Sequence, residues 1–392
     1  MARLFTSRAA LAIAATLVFG STLEAQPSDY KVVARNLVAA ALVQPGDKVL
    51  ITGSVRDAGL MEDVAIETMK AGGEPLISLG SESLIKRSYT DVPASYDSHA
   101  PALAMAMVNT FDVQIAVDVG ETEGLLASVP VARRAARAKA NEPANELYYK
   151  RTVRFVNLGN GLYPTATLSR RLGLTQPRLA HLFWRAAGVP PATLRAQAER
   201  VRSAIAAGKQ LTITHSNGTN LTVAVDDSRA IISDGVLTAE KVKQGGAAAS
   251  TWLPAGELIF PAVPGSASGK VVIDRHLYNG TMIRGLTLNF SGGRLTSMTA
   301  ASGLEPLKAA YDAGGAGKDA FGFIDIGVNP ETKVPLGAGM TVWGASGSVA
   351  LGFGDNRGFG GTNTSDFGFA TQLGGATLSV DGKPVITNGQ IR

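Results

Sequence analysis

The stretch LPAGELIFPAVPGSASGKVVID, Leu253 to Asp274, decides how the chain is read. A Pro-Ala-Gly turn carries one carboxylate, Glu257, and the residues on either side are apolar. A carboxylate projecting from a turn into apolar surroundings suits a metal ligand, and equally an acceptor that caps the turn. The strand that closes the stretch continues as IDRHL, with Asp274 and His276 two residues apart and so on one face. A carboxylate and an imidazole side by side form a pair of metal ligands, or an exposed polar strand face.

Working outward, the segment before Leu253 changes texture near residue 208. From Tyr30 the chain alternates helical patterns with short apolar runs: YKVVARNLVAAALV, KVLITG, LMEDVAIETMKAGG, EPLISL, FDVQIAVDV and RTVRFVNLG. Their spacing predicts Val33, Leu37 and Ala40 or Ala41 on the inner face of the first helix. It places Met61, Val64, Ala65 and Met69 on that of the second. This β-α-β-α rhythm indicates a parallel sheet covered by helices. LRAQAERVRSAIAAGK carries Leu194, Ala198, Val201 and Ile205 as one helical stripe, with Gly208 as its stop. QLTITHSNGTNLTVAV then reads as a hairpin, and short alternating strands follow, interrupted by one helix around Leu304–Ala313. The fold class expected is α/β: an N-terminal parallel-sheet domain over 29–208, then a β-rich α+β domain over 209–392.

With 392 residues and 45% hydrophobic side chains, the chain can bury more than one core. It has no cysteine, so packing and not disulfides must hold it, and thiol nucleophiles are excluded. Residues 1–25 combine Arg3 and Arg8, a short apolar core and small residues before Ala25. They read as a signal peptide, which implies export to a periplasm or beyond the cell. No later stretch predicts a membrane span. Without those residues the net charge falls from +5 to +4. The dense basic stretch Ala132–Arg151 could hold a phosphate or form a solvated helix face. Nucleic acid is not expected as a partner of an exported chain. G-x-S-x-G, H-E-x-x-H, G-x-x-x-x-G-K-[ST] and G-x-G-x-x-G are absent.

Taken in order, LVAAALVQPGDKVLITG, YPTATLSRRLGLTQPRLAHLFWRAAGV, the Leu253–Asp274 stretch, GFIDIGVNP, GDNRGFGGTNTSDF and ATLSVDGKPVI resemble the thermophilic aminopeptidase (aminopeptidase T) family of metallopeptidases. That resemblance implies a homodimeric two-metal exopeptidase acting on the N-termini of peptides, with its ligands in the second domain. The cofactor it implies is divalent zinc, cobalt or manganese if the chain is active, and none otherwise. Glu257 falls on the family's first glutamate. The second falls on Phe323, the histidine before the GDN stretch on Ala350, and the closing H-x-D on Gly368 and Ala370. The loop Gly352–Ala370 keeps its glycines, Asp355, Asn356 and Asp366, but no histidine follows His276. Three functions remain open. One is an exported aminopeptidase-like hydrolase with a rebuilt site drawn from Glu257, Asp274, His276, Asp325, Asp355 and Asp366. Another is an inactive relative that binds peptides or small ligands in the same cleft. The third is a different enzyme on the same scaffold.

Overall fold

The computed structural model describes residues 30–118, 122, 124–333 and 342–392. The expected leader, residues 1–25, lies outside them. Among the described residues, three sheets of five, eight and five strands form.

The first half supplies β1 (Lys48–Ser54), β2 (Glu74–Gly80), β3 (Val113–Val117) and β4 (Arg154–Leu158), all parallel. Helices α1 (Tyr30–Ala40), α2 (Ala58–Lys70), α3 (Glu82–Thr90), α4 (Ala102–Thr110) and α5 (Val131–Arg151) intervene. The next three are α6 (Ala166–Arg171), α7 (Gln176–Ala187) and α8 (Pro191–Ala206). In α1 the buried positions are Ala34, Leu37, Val38 and Ala40, so the inner face is rotated slightly from the expected one. In α2, Leu60, Met61, Val64 and Ala65 are buried as the period requires, but Met69 is exposed. Thr68 takes the inner position in that last turn, one residue earlier.

The remaining strands are β5 (Leu211–Thr214), β6 (Asn220–Val223), β7 (Ile231–Ser233), β8 (Ser250–Leu253), β9 (Glu257–Pro261) and β10 (Ser268–Tyr278). They continue with β11 (Thr281–Ser291), β12 (Arg294–Thr299), β13 (Phe321–Gly327), β14 (Val349–Gly354) and β15 (Gly368–Leu373). The last are β16 (Thr377–Val380), β17 (Lys383–Thr387) and β18 (Gln390–Ile391). β5 and β6 pair as the expected hairpin around Ser216-Asn217-Gly218, where Gly218 takes φ +99°. The eight-stranded sheet runs β12-β11-β10-β6-β5-β16-β17-β18 and packs on the antiparallel sheet β15-β14-β13-β9-β7.

Two large cores result. One joins α1, α2, α7 and the inner face of the parallel sheet through Leu37, Ile51, Met61, Ile115, Val156 and Phe183. The other fills the space between the two antiparallel sheets. The chain crosses the expected boundary at 208/209 in both directions. Ala198, Val201 and Ile205 of α8 pack into the second core, whereas β8 pairs in parallel with β4 and completes the first sheet. A four-residue apolar strand carries no mark of which sheet it joins, so sequence texture alone divided the chain too simply.

The basic stretch of α5 is absorbed by the fold. Arg133 and Arg137 both pair with the buried Asp97, at 2.5 and 2.6 Å, and Arg151 pairs with Asp112. No described helix is long and apolar enough to cross a membrane.

Candidate functional site

Glu257 opens β9, and two turns lock its position. Gly256 has φ +120°, and a Cβ there would stand 2.6 Å from the Asn329 side chain. Asn329, from the GVNP turn, donates from Nδ2 to the carbonyls of Ala255 (2.6 Å) and Ala186 (3.0 Å). Val328 N–H donates to Gly256 O at 2.8 Å. The PAGE and GVNP motifs are thus two halves of one interlock.

β9 lies beside β13, with Glu257 opposite Gly327 and Ile259 opposite Asp325. Directly opposed residues of an antiparallel pair share a face, so Glu257 and Asp325 are diagonal neighbours on one face. That face turns away from the sandwich core, which takes Leu258, Phe260, Ile324 and Ile326 instead. Both carboxyls are nearly sealed from solvent, at 3% and 2% exposure. Burial pushes Glu257 up to about 7, against a hydrogen bond from Asn160 that lowers it. Asp325 is raised well above its ordinary range, first by burial and then by the negative charge of Glu257. Its Oδ1 is buried without a hydrogen-bond partner among the described residues. The two groups repel as anions, which favours their protonated forms.

The parallel sheet contributes through its C-terminal ends. Asn160, in the loop after β4, donates from Nδ2 to Glu257 Oε1 (3.0 Å) and Pro254 O (2.9 Å). Its own N–H donates to Asn157 Oδ1 (2.8 Å), and Asn157 Nδ2 donates to Asp118 Oδ1 (2.8 Å). Asp118 is raised by burial, partly offset by Asn157 and by the Gly161 N–H. A polar chain therefore runs from the tip of β3 to Glu257, at the strand ends where open α/β sheets receive ligands. Sequence reasoning missed Asp118, Asn157 and Asn160. The available signal was a polar side chain at the end of each apolar parallel strand, in AVDV and VNLGNG.

The register corrects one expected position. Phe323 stands opposite Pro261, four residues along β9 from Glu257, or roughly 13 Å. A residue there cannot share a ligand with Glu257; the residue that can is Asp325. A two-residue shift keeps the face of a strand unchanged. Asp325 pairs with Ala350, and Ala350 with Gln372; Gly352 pairs with Ala370. Where a ligand set would stand, this face therefore carries Ala350, Ala370 and Gln372. Phe323 stacks instead on Phe359, with centroids 3.6 Å apart and planes 7° from parallel, and Trp343 lies next to Phe359 at 6.0 Å. A Cβ on Gly352 would strike the Phe323 ring at 2.5 Å, so glycine makes room for that stack.

The other expected site residues are not brought to Glu257. Asp274 is exposed. His276 lies against Phe369 (4.7 Å) and within 3.4 Å of Thr371 Oγ1. Phe369 and Thr371 face the sandwich core, the opposite side of the β15 sheet from Asp325. Burial and the nearby Arg171 push the His276 imidazole down to about 4, so it is neutral. In the loop, Asn356 is buried and architectural: Nδ2 donates to Gly322 O, and Oδ1 accepts from Asn363 N–H. Asp355 pairs with Arg357, and Asp366 is exposed. Asp355 and Asp366 instead line a separate cavity.

Among the described residues no three of His, Cys, Asp and Glu converge as a metal site. A two-cation hydrolytic centre needs several charged or imidazole donors. Two buried carboxyls with Ala350, Ala370 and Gln372 around them do not fit it.

Residues 192–318 match the thermophilic metalloprotease (M29) family. The match opens at α8 and includes the PAGE turn with Glu257. AmpT from Thermus thermophilus has a solved structure with TM-score 0.69 at 17% identity, covering 92% of this chain and 98% of its own. The 2,5-dihydroxypyridine dioxygenase of Pseudomonas putida KT2440 gives TM-score 0.55 at 12% identity, covering 93% and 96%. These likenesses show the fold, an α/β unit with antiparallel β-rich sheets, as expected. No curated protein sequence matches the chain. The M29 match is to the family the sequence resembles; it ends before β13, where Asp325 lies.

Proposed function

We propose that this chain is an exported, aminopeptidase-like protein that holds the N-terminal end of a peptide, or a similar small ligand, in the cleft between the parallel sheet and the Glu257 face, without two-metal hydrolysis. The observation that carries this reading is the composition of that face. It holds Glu257 and Asp325, both raised by burial, flanked by Ala350, Ala370 and the Phe323–Phe359 stack. The match of residues 192–318 to the M29 family supports the peptide class. Export rests on the basic, apolar and small-residue order of residues 1–25. A homodimer is proposed from the family resemblance.

A second reading keeps hydrolysis, and the carboxyl pair favours it: two neighbouring carboxyls raised by burial, one protonated and one ionised, can act as acid and base toward a bound water. One experiment separates the two. Metal content is measured on gently purified protein, and a panel of peptides with free N-termini is assayed with and without cobalt, zinc or manganese. Peptide binding is followed by calorimetry. The binding reading expects saturable peptide binding, no stoichiometric metal and no released N-terminal residue. Metal-free release of N-terminal residues, lost in Glu257→Ala, selects the second reading. Stoichiometric metal with activity that Glu257→Ala abolishes overturns both and restores a metallopeptidase.

A further inference from the structure

A cavity of about 610 Å³ lies between α5, the outer face of the parallel sheet and the loop joining β14 to β15. It is removed from the carboxyl pair. Gly368, on its rim, pairs with Gly354, four residues and roughly 13 Å along β14 from the Ala350 that faces Asp325.

Its walls are aromatic. Tyr148 and Tyr149 come from α5, Phe155 from β4 and Trp252 from β8. Phe155 meets Trp252 edge-on at 6.3 Å, and the two tyrosines meet edge-on at 5.9 Å. Burial raises both phenols, so they stay neutral.

The charges in it are unbalanced. Glu142, Asp355 and Asp366 face one cation, Arg357. That guanidinium is already engaged. Its Nη1 lies 2.7 Å from Glu142 Oε1, its Nε donates to Asp355 Oδ2 at 2.8 Å, and it sits 5.4 Å from the Tyr149 ring centre. An anion entering the cavity finds no uncommitted positive group and two excess negative ones. Aromatic faces and desolvated carboxylates both attract a cation, and the apolar wall rewards an apolar body attached to it.

We propose that this cavity binds a small organic cation, a protonated amine carried on an aromatic or branched apolar group. The ammonium sits toward Glu142 and Asp366 and the body lies against Trp252, Phe155 and the two tyrosines.

The test titrates the full chain near pH 7.5 by calorimetry with phenethylamine, its neutral analogue 2-phenylethanol and the anion phenylacetate. The amine is expected to bind saturably, and both analogues at least about tenfold more weakly, since they lack the charge the carboxylates select. Asp366→Asn, an exposed change that leaves the melting temperature in place, weakens the amine alone. Glu142→Gln weakens it further. Equal binding of alcohol and amine, tighter binding of phenylacetate, no saturable amine binding, or amine affinity unchanged in both variants overturns the proposal.

Discussion

Replacing Glu257 by glutamine should stabilise this protein at alkaline pH and leave it unchanged in acid. In the folded chain Glu257 titrates at about 7, against an ordinary 4.5. Below 4.5 the group is protonated whether the chain is folded or not, so its burial adds no pH-dependent penalty. Between 4.5 and about 7 the unfolded chain releases the proton while the folded chain keeps it. The folded state then binds more protons, and its stability falls as pH rises through that window. Above 7 the loss is complete. At 1.36 kcal/mol per pH unit it amounts to about 3 kcal/mol. Glu257 is nearly sealed from solvent, so screening does not reduce this figure, and its charge in turn raises Asp325.

Glutamine keeps the shape and cannot ionise. Its side-chain oxygen can still accept from Asn160, which now donates to Oε1 at 3.0 Å. Thermal unfolding of parent and Glu257→Gln, with a chelator present, should coincide at pH 4.5 or below. At pH 8 the variant should melt higher by about 4 °C for a chain of this size. The comparison cancels the titrating groups that Glu257 does not act on; Asp325, which the Glu257 charge raises, adds to the difference in the same direction. Equal melting temperatures at pH 8, or a variant less stable there, would show that Glu257 is an ordinary ionised carboxylate. A divalent cation that raises the parent's melting point at pH 8, and not the variant's, would show that a metal takes the place of the proton on Glu257.

Asn160→Ala removes the hydrogen bond that lowers Glu257, so the alkaline loss of stability should move to higher pH, with about 1–2 kcal/mol lost overall; a pH series of melting curves checks both. Gly256→Ala should cost about 3 kcal/mol or more by chemical denaturation, because the added Cβ meets Asn329 at 2.6 Å at a φ of +120°. Phe359→Ala should cost roughly 2–4 kcal/mol by the same measurement, since it empties the space against Phe323. Intact-mass measurement of exported protein should find cleavage after Ala25, and a retained Met1 in a cytoplasmic fraction would refute the signal-peptide reading.

The parts of this fold that could be read in the sequence are those whose cause is local. The stripe Leu194, Ala198, Val201, Ile205 is buried as its spacing demands, and the Ser-Asn-Gly turn makes the hairpin its composition favours. Strand partnership is not local. Nothing in STWL distinguishes a strand that completes the parallel sheet from one that stays in the β-rich half, and β8 does the former.

The site divides in the same way. The PAGE turn announced Glu257, because a carboxylate after a glycine turn among apolar residues is unusual in sequence as well as in space. Asp274 and His276 also shared a strand face, but strand periodicity does not say which sheet the strand joins. β10 lies in the eight-stranded sheet, across the sandwich core from the face that carries Glu257. Asp325 was visible as the single charge in FGFIDIG, a strand otherwise without polar side chains and buried at every position. What hid its role was register. Motif order placed the second acid on Phe323, and only the pairing of Ile259 with Asp325 and of Pro261 with Phe323 shows which of the two can reach Glu257. The loop Gly352–Ala370 keeps its glycines for a related reason. Gly352 clears the Phe323 ring, and Gly361 clears Asn356, whose side chain a Cβ would meet at 2.0 Å. Those glycines serve the packing of the loop whether or not ligands stand beside it, so their presence alone does not mark a metal site.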